Sequence, residues 1–273
     1  MRIRFAHRED KRAVAALCRR AVGPSDYVIW TLDAILAKGG VLVAWDGPRA
    51  IGMANLDDCV GGDLWLSKAR TDRAYRRQGI NSAVLERAAE IGRRRGHRHL
   101  RLWSNAPNVA GNATATANGF REVARFFGAL RPALRKAPGS TILREASEAV
   151  REGRRSPTVR DLNGYVHWEE YFIPLTREVI DHAIATDGLR RLGGEYLLTP
   201  KVRPEIRPWF GFQILGSRVV AGLREGGRLA GTQGAPRAFT YLPDAPRYRR
   251  AARTAGYRTV GWGSNAILYE RRL

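Results

Sequence analysis

Short apolar runs and longer helical spacings divide the first half of the chain. Met1–Phe5, which alternates strictly, and the apolar-rich runs Val41–Trp45, Ala50–Leu56 and Leu64–Arg70, set off by Gly39-Gly40, Asp46-Gly47-Pro48 and Gly61-Gly62, read as strands. Helical spacing appears in Lys11–Ala21, where Val14, Leu17, Cys18 and Ala21 share a face, and in Trp30–Lys38, which Gly39-Gly40 ends. Ile80, Val84, Ala88 and Ile91 then recur at intervals of 4, 4 and 3, a third helix. After Gly96 the run HLRLW reads as a strand, APNVAGNATATAN as a helix, and GFREVARFFGAL as a strand or strand pair. The predicted order is β-α-α-β-β-β-α-β-α-β, an α/β fold of the α+β type around a mixed sheet.

That order is then approximately restarted. Ser140–Gly153 repeats the opening strand and helix, and Leu175–Gly188 echoes the second helix with its glycine stop. Arg237–Leu273 repeats the strand, helix, Gly-aromatic and strand arrangement of the first half's end. A period this long with matching element order points to duplication, giving domains at 1–131 and 140–273 joined through Arg131–Gly139.

Composition adds boundaries. Apolar residues make up 44% of 273, enough for a core, and no apolar run reaches the length of a membrane span. The N-terminus MRIRFAHRED lacks a secretory apolar segment, so a cytoplasmic address and no membrane partner are expected. Cys18 and Cys59 read as core thiols, and with no Cys or His in ligand spacing no metal is expected. The formal charge is +21; of 47 basic residues five are Lys and 42 are Arg, spread along the whole chain. Such a balance fits a nucleic-acid partner, and it equally fits an arginine-biased composition with solvated faces.

The stretch YRRQGINSAVLERAAEIG, Tyr75–Gly92, carries the chemistry. A helix N-terminus presents unpaired N–H groups and the positive end of its dipole, an anion site if the approach is open. Gly79 supplies the approach, Arg76 and Arg77 supply charge, and Ser82 adds a hydroxyl in the first turn.

In its context this stretch resembles the GNAT superfamily of acyl-CoA-dependent N-acyltransferases, whose signature Arg/Gln-x-x-Gly-x-Gly/Ala lies between the fourth strand and the third helix. Here it reads Arg76-Arg77-Gln78-Gly79-Ile80-Asn81. The family's later landmark, an Asn with Gly-Phe eleven residues on, is met by Asn108 and Gly119-Phe120. The resemblance covers about residues 1–131 well and 140–273 more faintly, implying two tandem GNAT-like domains, the second degenerate. It implies acetyl-CoA as acyl donor, with its pyrophosphate held by backbone amides from Arg77 to Ser82. Ala69 and Thr71 would line the pantetheine and acyl end, and Asn108 would sit by the cofactor arm.

Two departures bear on chemistry. Asn81 stands where Gly or Ala is usual, and the tyrosine that commonly protonates the leaving thiolate is replaced by Ala115. Simple alternation puts Asp63, Trp65, Ser67, Ala69 and Thr71 on one face of the fourth strand, with the family's glutamate base falling at Trp65. Asp63 is expected as an exposed strand-start residue; Asp57 and Asp58 are further carboxylates in reach, and catalytic roles stay unassigned. The second half lacks the loop: GSRVVAGLREGG offers Gly216 alone, and Arg228 and Gly231 lie too near the next strand. NGYVHWEEYF is expected to pack in the core or line a cleft, with Glu169 and Glu170 attracting a cationic amine; Tyr27 and Trp30 are the analogous residues in the first half, where Asp26, Tyr27 and Trp30 carry no type-specific acceptor signature. The expected activity is acetyl transfer to a primary amine, small-molecule or peptide. The alternatives are an acyl-CoA-binding or nucleic-acid-binding pseudo-enzyme, and a tRNA-directed acyltransferase.

Overall fold

The structure is a computed structural model and describes residues 1–134, 141–169, 171–200 and 209–273. The chain packs into two compact units, residues 1–103 with 109–121 and 269–273, and residues 104–108 with 122–268. These units interleave along the sequence, where the sequence expectation is of two consecutive stretches, and most of the expected joint lies outside the described residues.

The first half contains β1 (Arg2–Phe5), α1 (Lys11–Ala21), α2 (Tyr27–Ala37), β2 (Val41–Asp46), β3 (Arg49–Asp58), β4 (Leu64–Thr71), α3 (Ile80–Arg94), β5 (His99–Asn105), α4 (Val109–Ala117) and β6 (Arg121–Pro132). The expected order holds. The start of α2 differs, falling at Tyr27 rather than Trp30, because the Asp26 carboxylate caps the Val28 amide at 3.2 Å. In the first unit β1 to β4 pair antiparallel in sequence order and β5 joins β4 in parallel. One face of this sheet, with Val41, Val43, Trp45 and Met53, packs on Val14, Leu17, Val28 and Leu32 of α1 and α2. Each such side chain contributes roughly 1.5–3 kcal/mol of burial. The other face takes α3 so closely that a Cβ on Gly52 would lie 2.5 Å from Ile80 Cγ2.

A bulge in β4 corrects the expected alternation. Asn55 pairs with Ser67 and Met53 with Arg70, so two residues, Lys68 and Ala69, oppose Ala54, and Lys68 takes a left-handed φ of 56°. Trp65, Ser67 and Arg70 therefore share the α1–α2 face. Thr71, paired with Gly52, and Ala69 turn to the α3 face.

The second half contains β7 (Thr141–Ile142), α5 (Ala146–Arg155), α6 (Pro157–Asp161), β8 (Tyr165–Trp168), β9 (Tyr171–Pro174), α7 (Arg177–Ala185), β10 (Leu189–Leu192), β11 (Glu195–Leu198), β12 (Phe210–Gly211), β13 (Gln213–Ile214), α8 (Val219–Thr232), β14 (Arg237–Pro243), α9 (Pro246–Thr254), β15 (Arg258–Thr259) and β16 (Ala266–Arg272). In the second unit β14 pairs with β6 antiparallel and with β12 in parallel, and β13-β11-β10-β7 form a separate sheet. NGYVHWEEYF becomes the β8–β9 hairpin with both strands buried. Glu169 sits exposed at its tip, and Glu170 lies outside the described residues.

The terminal strand carries the last residues of the chain into the first unit. Leu273 N–H donates to Arg98 O at 2.9 Å, and Glu270 Oε2 accepts from Arg101 Nε at 2.9 Å. Among the described residues no helix is long and apolar enough to cross a membrane, and no group of His, Cys, Asp and Glu is arranged to hold a metal.

Candidate functional site

Eight residues, 72–79, connect β4 to α3, and a buried carboxylate anchors them. Asp72 Oδ2 accepts from Arg20 Nε at 2.7 Å and Arg49 Nη2 at 2.9 Å, while Oδ1 takes the Ala74 amide at 3.2 Å. Burial alone raises a carboxyl's pKa; here the two guanidiniums and the amide outweigh it and hold Asp72 below its ordinary value. Tyr75 donates its hydroxyl to Asp46 at 2.7 Å, fixing the loop to the β2 end.

Past Tyr75 the loop opens. Arg77 takes a left-handed φ of 63° and Gly79 one of 75°, so the chain turns sharply into α3. The first bond of the helix runs from Ala83 N–H to Gly79 O at 2.9 Å, which leaves the preceding amides of the first turn without a helical acceptor. A Cβ built on Gly79 meets nothing within 4 Å, so the space over these amides is open. Arg77 and Gln78 are exposed there, Gln78 donating to Ala74 O at 3.1 Å. Asn81 is half-buried in the first turn, and Ser82 Oγ accepts from Asn118 Nδ2 at 3.0 Å, tying α3 to the end of α4.

Arg76 does something the sequence did not suggest. Its Nη2 donates to Ala21 O at 3.0 Å, and Arg73 reaches Ala21 O and Val22 O at 3.4 and 3.2 Å, so both cap the carbonyl end of α1. The loop is thereby bonded to the turn that leads into α2. On that turn Asp26 holds Arg70 through two bonds of 2.7 and 2.8 Å. Tyr27 lies 5.4 Å from the Arg70 guanidinium, and Tyr27 and Trp30 are 51% and 75% exposed.

The β4 edge is the second open feature. Pairing with β5 is confined, among the described residues, to Leu64 with Leu100 and Trp65 with Arg101. From Leu66 onward the β5-facing edge of β4 carries backbone groups able to pair with an extended ligand. Ala69 is exposed and Thr71 half-buried beside this edge. Asn108, the remaining expected site residue, packs with the second unit, where Nδ2 donates to Ser104 Oγ at 3.0 Å.

The expected carboxylates separate clearly. Asp63 is 4% exposed, a correction to its expected exposure, and is held by Arg101 and by His99 Nδ1 at 3.1 Å. Asp58 is exposed and bonded to His97 Nε2 at 2.7 Å and to Arg95 at 3.2 Å. Asp57 lies on the α1–α2 face, with Oδ2 accepting from Asn55 Nδ2 at 2.5 Å. Ala115 is buried in α4, so no side-chain acid occupies that position.

In the second unit only four residues, 215–218, separate β13 from α8, and Arg228 and Gly231 fall inside that helix. The start of α8 is filled from within. Glu195 accepts from Arg218 Nε at 2.6 Å and from the Arg218 backbone amide, and its Oε2 lies 2.1 Å from where a Cβ on Gly216 would stand.

Residues 10–120 match the acetyltransferase (GNAT) family model. No curated protein matches the chain. Three solved structures share its fold over nearly their whole length. A putative acetyltransferase from Thermoplasma acidophilum has TM-score 0.64 and 13% identity, covering 100% of both chains. One from Pyrococcus horikoshii has 0.61 and 16%, covering 100% of this chain and 89% of its own. A GCN5-related N-acetyltransferase from Sphaerobacter thermophilus has 0.60 and 14%, covering 99% and 95%.

Proposed function

We propose, from the premise that residues 10–120 are an acetyltransferase domain of the GNAT family, that this protein moves an acetyl group from acetyl-CoA to a primary amine. The observation that carries the reading is the open N-terminus of α3. Its free first-turn amides, the open space at Gly79 and the exposed Arg77 form a cradle for a diphosphate. The residues present fit such a group: amides from Arg77 to Ser82 would hold the pyrophosphate. The free β4 edge, with Ala69 and Thr71 on its α3 side, would take the amides of the pantetheine arm as an added strand.

The bound thioester supplies an activated acyl carbon. The protein's own contribution is alignment of that carbon with the amine and donation of hydrogen bonds to the carbonyl oxygen as charge grows on it. Backbone amides of β4 beside the bulge are in the right strand for the second task. With Ala115 in α4, the leaving sulfur takes its proton from the attacking nitrogen or from water.

Calorimetric titration of acetyl-CoA into the purified protein tests the reading, beside a Gly79→Glu variant whose carboxylate repels phosphate and fills the open space. One site in the wild type that the variant abolishes supports it. No binding by the wild type removes it.

A further inference from the structure

Three arginines of the β4–α3 segment converge on the turn that begins α2. Arg70 holds Asp26 at 2.7 and 2.8 Å, Arg73 Nη2 reaches Val22 O at 3.2 Å, and Arg76 Nη2 reaches Ala21 O at 3.0 Å. Asp26 offsets the first of these charges, whereas Arg73 and Arg76 bond backbone carbonyls and meet no carboxylate among the described residues. The same turn and helix carry an uncovered aromatic face. Of the five large apolar side chains exposed among the described residues, Val22, Tyr27 and Trp30 lie here, at 49%, 51% and 75%. Apart from the Tyr27 hydroxyl, the only polar side chains of α2 are Thr31 and Asp33, and its buried residues are Val28, Leu32, Ile35 and Leu36. Tyr27 and Trp30, at i and i+3, are neighbours on the surface of its first turn.

We propose that Tyr27 and Trp30 are a stacking platform for the bases of a single-stranded RNA, that Arg73 and Arg76 meet its phosphates, and that this strand carries the acceptor amine. The last clause rests on the acetyl-transfer reading above. An aromatic ring takes any base on its face and a neighbouring guanidinium takes the backbone, the combination by which single strands are held. Other occupants fit less well. A second copy of the chain, or a free cationic amine, would approach a protein of formal charge +21 with Arg70 already 5.4 Å from the Tyr27 ring. A bilayer asks for a broad apolar face, and Val22 is the one aliphatic residue of the exposed three. A polyanion gains from each of these charges.

The platform stands beside the place where acyl transfer would occur. Arg70 follows Ala69 in β4, next to the edge that β5 leaves open, and its guanidinium lies over Tyr27. An amine at the end of the strand reaches that edge while the bases stay on α2. Its neutral nitrogen forms a bond to the acetyl carbon, the C–S bond breaks with its electron pair on sulfur, and one nitrogen proton ends on the thiol. The products are an N-acetylated strand and free CoA.

The test uses the full chain and a fluorescent single-stranded RNA with a terminal primary amine, read by anisotropy across salt and by acetyl-CoA-dependent thiol release. Binding is expected to weaken as salt rises, and Trp30→Ala and Tyr27→Ala each to lower affinity about tenfold. Arg73→Ala is expected to flatten the salt dependence. Arg93→Ala with Arg94→Ala, which removes two exposed charges at the far end of α3, is expected to change affinity by less than about twofold. Calorimetry of acetyl-CoA is expected to give one affinity for the wild type and Trp30→Ala. Wild-type RNA affinity in Trp30→Ala overturns the proposal, and so does an equal loss from Arg73→Ala and the Arg93, Arg94 pair, which would make the binding diffuse charge attraction. A Trp30-dependent change in acetyl-CoA affinity, in binding to phosphatidylserine–phosphatidylcholine vesicles or in self-association, with RNA affinity unaffected, overturns it in favour of the donor, a membrane or a second copy. Binding of both acetyl-CoA and the RNA without thiol release overturns the acceptor clause. Absence of acetyl-CoA binding overturns the acetyl-transfer reading, and the anisotropy then decides the platform by itself.

Discussion

Arg76 Nη2 lies 3.0 Å from Ala21 O, so the first arginine of the β4–α3 loop is bonded to the end of α1. Arg77, one residue on, is exposed beside the open first turn of α3. The two arginines should therefore part company on substitution. Arg76→Ala removes a cation from a helix C-terminus and is expected to cost roughly 0.5–1 kcal/mol of stability with a small change in acetyl-CoA affinity. Arg77→Ala should leave stability unchanged and weaken acetyl-CoA several-fold, mostly at low salt, where an exposed charge is least screened. Urea melts and calorimetry on the two variants separate these outcomes.

Asp72 sets a pH dependence whose sign is fixed by its partners. Its carboxyl is held below the ordinary 3.8 in the folded chain by Arg20, Arg49 and the Ala74 amide against the cost of burial. A depressed carboxyl contributes stability that is present above its unfolded pKa and is lost as pH falls through the folded one. Asp72→Asn is expected to cost about 2 kcal/mol at pH 7, the size of lost charge-assisted hydrogen bonds. The gap from wild type should close as pH drops below 3.8. Paired urea melts from pH 7 down to the acid limit check this; a gap constant with pH would assign the loss to packing instead.

The element order was readable because α1 and α3 keep helical apolar spacing and the strand runs are set off by Gly39-Gly40, Gly47 and Gly61-Gly62. The bulge was not, because Lys68 takes its left-handed φ without a glycine to announce it. That single residue moved Ala69 and Thr71 to the α3 face and gave Arg70 to the α1–α2 face. Asp63 looked like an exposed turn residue after Gly61-Gly62, since its cluster with Arg101 is completed by Glu270, at the opposite end of the chain. The role of Arg76 was hidden for a different reason: its acceptor is a backbone carbonyl, which every residue has. Asp57 and Asp58 are adjacent in sequence and similar in type; only the ladder register assigns them to opposite faces.

Glu195 predicts that the second unit takes no diphosphate. Its carboxylate already accepts from Arg218 at the start of α8, where a phosphate oxygen would need the same amide. Wild-type protein should bind one acetyl-CoA per chain. Burial raises the Glu195 carboxyl above its ordinary 4.5, with Arg218 offsetting part of that. A raised folded pKa contributes stability that is full below the unfolded value and is lost as pH rises through the folded one. Glu195→Gln cannot titrate, so wild type should gain on the variant as pH is lowered from 7 toward 4.5. Urea melts at three pH values across that span measure the trend, and a flat difference would contradict it.

Arg101 is 2% exposed between Asp63 and Glu270, so one buried cation joins the β4 start to the last strand. Removing one member of such a group leaves a charge in a low-dielectric interior, which typically costs ~3–5 kcal/mol. Arg101→Met is expected to show that loss, since it takes the shared cation from two buried carboxylates, leaving Asp63 with His99 at 3.1 Å and Glu270 with Arg121 at 3.0 Å. Adding Glu270→Leu to the same chain removes one of the two carboxylates that Arg101→Met leaves without its cation. The double variant should therefore recover much of the single variant's loss, the reverse of additive behaviour for neighbouring sites. A double-mutant cycle by urea denaturation decides it. If the losses simply add, the three charges are not one coupled unit, and the terminal strand is held by its backbone bond from Leu273 to Arg98 and by packing of Leu273 on Gly92.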